Sequence, residues 1–160
     1  MPSHSFSILF VCLGNICRSP LAEGVMRHKV GRAGLVDGFF LDSAGTGAWH
    51  IGNPADRRSV SVGAVHGVDL SDLRARQVIV EDFHRFDLIL AMDASNLSDL
   101  RAMQPEDGIA QLALYRSYCE DGEQDVPDPY YGGDRGFEDV YQMINRASDV
   151  LLAKHGQDRT

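Results

Sequence analysis

The 160-residue chain predicts an α/β domain built on a mostly parallel sheet. Three observations carry that prediction. Short apolar runs of strand length, above all at residues 7–11 and 87–92, alternate with stretches of helical period. Strand and helix signals take turns along the whole chain, which is the order that parallel crossovers require. The last long segment places Val140, Tyr141, Ile144, Ala147, Val150 and Leu151 on one face at a 3.6 period.

Each element follows from local signals. The first strand spans about residues 7–11, an apolar run. The first helix spans about residues 19–32. Pro20 fits its first turn, where a missing N–H costs nothing, Ser19 is a candidate N-cap, and Gly34 ends it. A second strand falls near residues 38–44, followed by a glycine-punctuated loop over 45–52. Asn53-Pro54 breaks the chain before a helix over about 56–66, closed by Gly67. Residues 71–77 are ambiguous, 78–80 read as a brief extended piece, and 81–86 as one helical turn. The third strand is 87–92. Asp93 or Ser95 caps the next helix, which runs to about Met103, and 104–108 form a turn. Residues 109–115 give a fourth strand, 116–136 a polar loop rich in Asp and Gly, and 137–154 the last helix. No internal repeat or low-complexity tract interrupts this order, and the length suits one domain over residues 1–160.

Composition narrows the function. Hydrophobic residues make up 44%, enough for one ordinary core, and the net charge is −8. That balance argues against a nucleic-acid or anionic-membrane footprint, either of which needs a basic patch. Three cysteines, two of them five residues apart, read as reduced thiols rather than a disulfide framework. The start of the chain lacks a charged region and a long apolar region, and no run approaches a membrane span. The expectation is a cytoplasmic protein with no nucleic-acid or membrane partner; oligomeric state is not readable.

The chemistry concentrates where strand one passes into helix one: Val11-Cys12-Leu13-Gly14-Asn15-Ile16-Cys17-Arg18-Ser19-Pro20. The first N–H groups of a helix lack intrahelical partners and carry partial positive charge, so a short loop there cradles an oxyanion. Gly14 lets the backbone come close, and Asn15 tolerates a left-handed conformation. Arg18 offers two parallel donors. The same field favours the thiolate of Cys12, a nucleophile beneath a bound phosphate. In a parallel sheet, ligands bind beyond the carboxyl ends of strands, and Cys12 lies just past the end of strand one.

Cys12-Leu13-Gly14-Asn15-Ile16-Cys17-Arg18-Ser19-Pro20 resembles the phosphate-binding signature of the low-molecular-weight protein tyrosine phosphatases. The resemblance continues through Asp42-Ser43-Ala44-Gly45-Thr46, Ala91-Met92-Asp93 and Asp128-Pro129-Tyr130-Tyr131, and so covers nearly the whole chain. It implies three layers, with a four-stranded parallel sheet, helices on both faces and the phosphate loop after strand one. It implies hydrolysis of phosphotyrosine in proteins through a phosphocysteine intermediate, with no metal and no cofactor. Cys12 is then the nucleophile and Arg18 the anion clamp, with Leu13, Gly14, Asn15, Ile16, Cys17 and Ser19 completing the phosphate loop. By physics alone Asp128 is a turn aspartate, but the resemblance makes it the general acid. The resemblance also pairs Ser43 with the Asn15 side chain and puts Trp49, Tyr130 and Tyr131 along the substrate cleft.

Some readings stay open here. Ser19 is either a structural N-cap or a hydroxyl donor to the Cys12 thiolate. Cys17 is either a buried loop thiol or the partner that traps an oxidised Cys12 as a disulfide. His66 ends the second helix, where a cation meets the dipole well; it is either a structural histidine at the helix end, the favoured reading, or a supporting residue behind the site. Two other activities on the same scaffold compete. Thiol-linked arsenate reduction needs further cysteines, and only Cys119 lies outside the loop. For phosphoarginine hydrolysis, the resemblance suggests Thr where this chain has Ile16. A phosphopeptide-binding module would lack the nucleophile or the acid.

Overall fold

The computed structural model describes residues 5–120, 125–130 and 134–156. Four strands, β1 (Phe6–Cys12), β2 (Phe39–Gly45), β3 (Leu88–Ala91) and β4 (Gln111–Leu114), form one all-parallel sheet in the order β2-β1-β3-β4. Around it pack α1 (Arg18–Arg32), α2 (Arg57–Val65), α3 (Asp82–Arg85), α4 (Ala94–Met103), α5 (Tyr115–Cys119) and α6 (Asp134–His155).

Both faces of the sheet are covered, as a parallel sheet requires. Ile8 and Phe10 of β1 point into a core shared with Leu21, Val25 and Met26 of α1 and Val140, Ile144 and Leu151 of α6. Leu9 and Val11 point the other way, against Phe83 and Phe86 around α3 and Leu97 and Leu100 of α4. The period-2 alternation of β1 thus assigns each helix to a face.

The strand order places the site. β1 pairs with β2 on one side and β3 on the other, so the chain reverses direction across the sheet at the carboxyl ends of β1 and β3. Cys12 ends β1 and Asp93 follows β3 by two residues. Ligand sites in open parallel sheets form at such a switch point.

Most predicted elements are present, with shifted ends. β4 is shorter than residues 109–115, and α6 begins at Asp134 rather than Phe137. Residues 78–80 form no strand; the extended contact nearby is a single bridge between Gln77 and Gly45. The stretch read as one polar loop from residue 116 opens with α5, whose Tyr115 and Cys119 are buried. Five residues are too few to establish a helical period, and burial of those two side chains supplies what propensity does not. Gly34 and Gly67 close α1 and α2 with positive φ, at 74° and 80°. Among the described residues, no helix is long and apolar enough to cross a membrane.

Candidate active site

The segment between β1 and α1 wraps around the Cys12 sulfur. Its carbonyls are drawn outward: Cys12 O accepts from Thr46 N at 3.0 Å, Leu13 O from Gly47 N at 2.9 Å, Ile16 O from Asp56 N at 2.7 Å and Cys17 O from the Ser59 hydroxyl at 3.2 Å. In a trans peptide the C=O and the following N–H point in opposite directions. The N–H groups of Leu13, Gly14, Cys17 and Arg18 therefore turn away from those outside partners, towards the interior of the loop. Asn15 N–H aims at Cys12 Sγ from 3.3 Å.

Two residues fix this backbone. Asn15 has φ 57°, the one positive φ outside glycine among the described residues, and a short polar side chain makes that conformation tolerable. Its Nδ2 donates to Ser19 Oγ at 2.8 Å and Ser43 Oγ at 3.0 Å, and its Oδ1 accepts from Arg76 N at 2.9 Å. Gly45, at the end of β2, passes so close behind the loop that a Cβ there would meet Leu13 O at 2.7 Å.

Ser19 does not cap α1. Cys17 occupies the N-cap position without a side-chain bond, and the Ser19 hydroxyl lies 3.0 Å from Cys12 Sγ. Helix one starts two residues earlier than its capping signals suggest, and the Ser19 hydroxyl is engaged by Cys12 and Asn15 instead. The Cys17 thiol is buried, and that burial first, then Asp56, pushes it up to about 12, so at neutral pH it is protonated.

Arg18 is 2% exposed. Its Nη1 donates to Asp93 Oδ2 at 2.8 Å and to Val126 O at 2.9 Å, and its Nη2 lies 3.7 Å from Asp128 Oδ2. Asp93 uses its other oxygen to cap α4, accepting from Asn96 N at 2.8 Å. One carboxylate thus anchors both a helix and a buried guanidinium, which keeps that charge paired.

A cleft of about 420 Å³ opens above the sulfur, lined by Cys12, Leu13, Gly14, Ile16, Cys17 and Arg18 from the loop and by Trp49, His50, Asp128 and Tyr130 around the mouth. Trp49 is 72% exposed, and its ring lies across Gly47, where a Cβ would collide with it. Asp128 is partly exposed and accepts from Tyr130 N at 3.0 Å. The structure therefore brings the reactive groups singled out in the sequence, Cys12, Arg18 and Asp128, to one opening. The side chains of Asn15, Ser19 and Ser43 stand behind the loop instead. Tyr131 lies outside the described residues. His66 faces α6: its Nε2 is 2.9 Å from Glu138 Oε1 and its ring stacks on Tyr141.

The family model for low molecular weight phosphotyrosine protein phosphatase matches residues 7–160. The chain belongs to that family. It is 49% identical over 153 residues to the low molecular weight protein-tyrosine-phosphatase of Streptomyces coelicolor, covering 93% of each chain. The crystal structure of YfkJ from Bacillus subtilis superposes with a TM-score of 0.91 at 40% identity, over the full length of both chains. A Drosophila arginine phosphatase matches with a TM-score of 0.87 at 33% identity, covering 94% of this chain and 98% of that one.

Sequence reasoning missed four contributors. Asp93 was read as a helix cap and as part of the family resemblance, without a link to Arg18; its place beyond β3, next to β1, is the signal that could have made that link. His50 lines the cleft with its ring against Gly14, and no spacing in the sequence points to it. The Val126 carbonyl and the Arg76 amide act through the backbone, which side-chain patterns do not reveal.

Proposed function

We propose that this chain is a cysteine-dependent protein tyrosine phosphatase that hydrolyses phosphotyrosine in protein substrates as one phosphatase domain. The observation that carries the reading is the single cleft shared by Cys12, Arg18 and Asp128, walled by Trp49 and Tyr130.

The phosphate enters with its equatorial oxygens against the inward N–H groups of the loop and the Arg18 guanidinium. Cys12 Sγ attacks phosphorus in line, and the bond to the phenolic oxygen breaks. Charge spreads over the three oxygens in this step, and fixed donors bind that distribution best because they need not reorganise. The Ser19 hydroxyl stabilises the thiolate as it attacks and again as it leaves. Asp128 protonates the departing phenolate, then takes a proton from the water that cleaves the phosphocysteine intermediate. The tyrosine ring lies between Trp49 and Tyr130, a flat slot that suits an aryl phosphate. Three free cysteines, Cys12, Cys17 and Cys119, fit a reducing, cytoplasmic setting.

Phosphoarginine hydrolysis is the second reading, favoured by the Drosophila neighbour. Ile16 on the cleft wall ranks it below phosphotyrosine. Arsenate reduction ranks lower, because Cys119 is buried in α5 and is not among the cleft residues. The test is hydrolysis of an aryl phosphate with chelator present, comparing wild type with Cys12→Ser. Activity lost in the variant supports the phosphatase; an inactive, folded wild type with intact thiols ends the reading. Competition between phosphotyrosine and phosphoarginine peptides then decides the substrate.

A further inference from the structure

One buried charge has no part in the chemistry above. Glu23 lies in the second turn of α1 with 3% of its surface exposed. A carboxylate so placed must be paired and hydrogen-bonded to persist. Its Oε2 meets the Arg27 guanidinium one turn along the helix. Its Oε1 accepts from the Ser43 hydroxyl at 2.6 Å. Burial pushes the carboxyl above its ordinary range, with Ser43 and Arg27 opposing. The other charge facing it is Asp42, which Arg76 neutralises at 3.1 Å.

The directions of the bonds matter more than their number. Asn15 is held one way round, because Oδ1 accepts the Arg76 N–H. Its Nδ2 therefore faces Ser43 and Ser19, and an amide nitrogen can only donate. Each serine has a single proton. With Asn15 donating to both oxygens, both protons turn away from it, Ser43's to Glu23 and Ser19's to Cys12 Sγ. The row Glu23, Ser43, Asn15, Ser19, Cys12 thus has one polarity, with an acceptor at each end. A serine left without its outward acceptor can turn its proton inward, against the Asn15 amide.

We propose that Glu23 is a positioning residue for Cys12: it holds the Ser43 proton outward, which keeps Asn15 donating to Ser19 and the Ser19 proton on the Cys12 sulfur. From the phosphatase reading it takes only that Cys12 is the nucleophile. Glu23 touches neither substrate nor sulfur. The groups around Cys12 itself, Arg18, Cys17, His50 and Asp128, are unchanged by substitution at Glu23.

Alkylation of Cys12 by iodoacetamide, followed against pH on the full chain with the modified residue located by mass spectrometry, reads the thiol without any turnover. Glu23→Gln keeps an acceptor for Ser43, and its profile is expected to match wild type. Glu23→Leu removes the acceptor, and its midpoint is expected to rise by on the order of one pH unit. In a Ser19→Ala background, Glu23→Leu is expected to add nothing, because the effect travels through Ser19. A folded Glu23→Leu variant with the wild-type profile, or one that shifts the profile further in the Ser19→Ala background, overturns the proposal. If Glu23→Leu does not fold, Ser43→Ala cuts the row while keeping the ion pair with Arg27, and a wild-type profile there overturns it equally. Loss of phosphatase activity in the wild type with this shift intact would sink the functional reading and leave the role of Glu23 standing.

Discussion

The two segments that meet at the cleft are built in opposite ways. Residues 12–19 are tied by four carbonyl bonds to two other parts of the chain, the turn after β2 and the start of α2, and from behind by the Asn15 and Ser19 side chains. Residues 125–130 are anchored at their two ends, by Asp125, which accepts from Ala94 N at 3.1 Å, and Val126, whose N–H reaches Met92 O at 2.7 Å and whose carbonyl receives Arg18, and by the Tyr130 carbonyl, which accepts from Arg58 Nη2 at 2.9 Å. Between those anchors Asp128 is partly exposed, and its bond to Tyr130 is local. The difference matches the two tasks proposed for them. Stabilising charge on a transferring phosphoryl group needs donors fixed before the reaction. Delivering a proton needs a carboxyl within reach of the leaving oxygen, and anchors two residues to either side are enough for that.

If the contrast is real, variants in the first segment should lose more than variants in the second. Arg18→Lys keeps the charge but removes the planar fork that meets Asp93 and Val126 O. A fall in kcat/KM of about 10³-fold is expected, on the scale of losing a fixed anion donor. A loss below tenfold would mean that the loop amides carry the phosphate without the fork. Asp128→Ala comes next, at about 10²-fold for phosphate esters with poor leaving groups. Esters whose leaving group needs no proton should lose far less. Equal losses across a series of substituted phenyl phosphates would remove Asp128 as the acid.

Stability should divide the segments in the same order. Asn15→Ala deletes three hydrogen bonds and places a Cβ-bearing residue with no polar compensation at φ 57°. A cost of about 2–3 kcal/mol in urea unfolding is expected. Asp128→Ala, near the surface, should cost less than about 0.5 kcal/mol. Comparable values for the two variants would break the comparison.

The two segments also differed in how well the sequence announced them. The phosphate loop was readable because its chemistry is local: a buried strand, Gly14, Asn15, Arg18 and Pro20 follow one another within one short stretch of sequence. The alternating strands and helices followed from hydrophobic period, the four parallel strands with helices on both faces came from the family resemblance, and the strand order was not readable because it depends on pairings between distant segments. Asp128 was legible only through family resemblance, since nothing in its spacing points to Cys12. Arg18's partners were invisible for the same reason: Asp93 is 75 residues away and Val126 108. Glu23 was hidden differently. It lies on the helix next to the loop, but burial of its carboxylate depends on β2, and a Glu in a helix otherwise reads as solvated.

The smallest effect on activity belongs to the joint between the segments. Asp56 N–H bonds to Ile16 O of the phosphate loop, its side chain caps α2 by accepting from Arg58 N at 2.8 Å, and Arg58 Nη2 reaches Tyr130 O at 2.9 Å. Burial alone would raise the Asp56 carboxyl, but the Arg58 side chain and N–H outweigh it and hold the group below its ordinary range. A depressed carboxylate adds stability that is complete above its unfolded value, near pH 4, and is lost as pH falls through the folded value. Asp56→Asn keeps the cap, since Asn serves as well at that position, and removes only the charge. It should cost about 1 kcal/mol at neutral pH, seen as a lower melting temperature, with the gap closing in acid as pH falls through the lowered folded value. Activity should stay within about twofold of wild type, because the backbone bond to Ile16 survives. A gap that persists in acid would assign the cost to distorted capping; a large loss of activity would mean that the ion pair, not the backbone, holds the two segments in register.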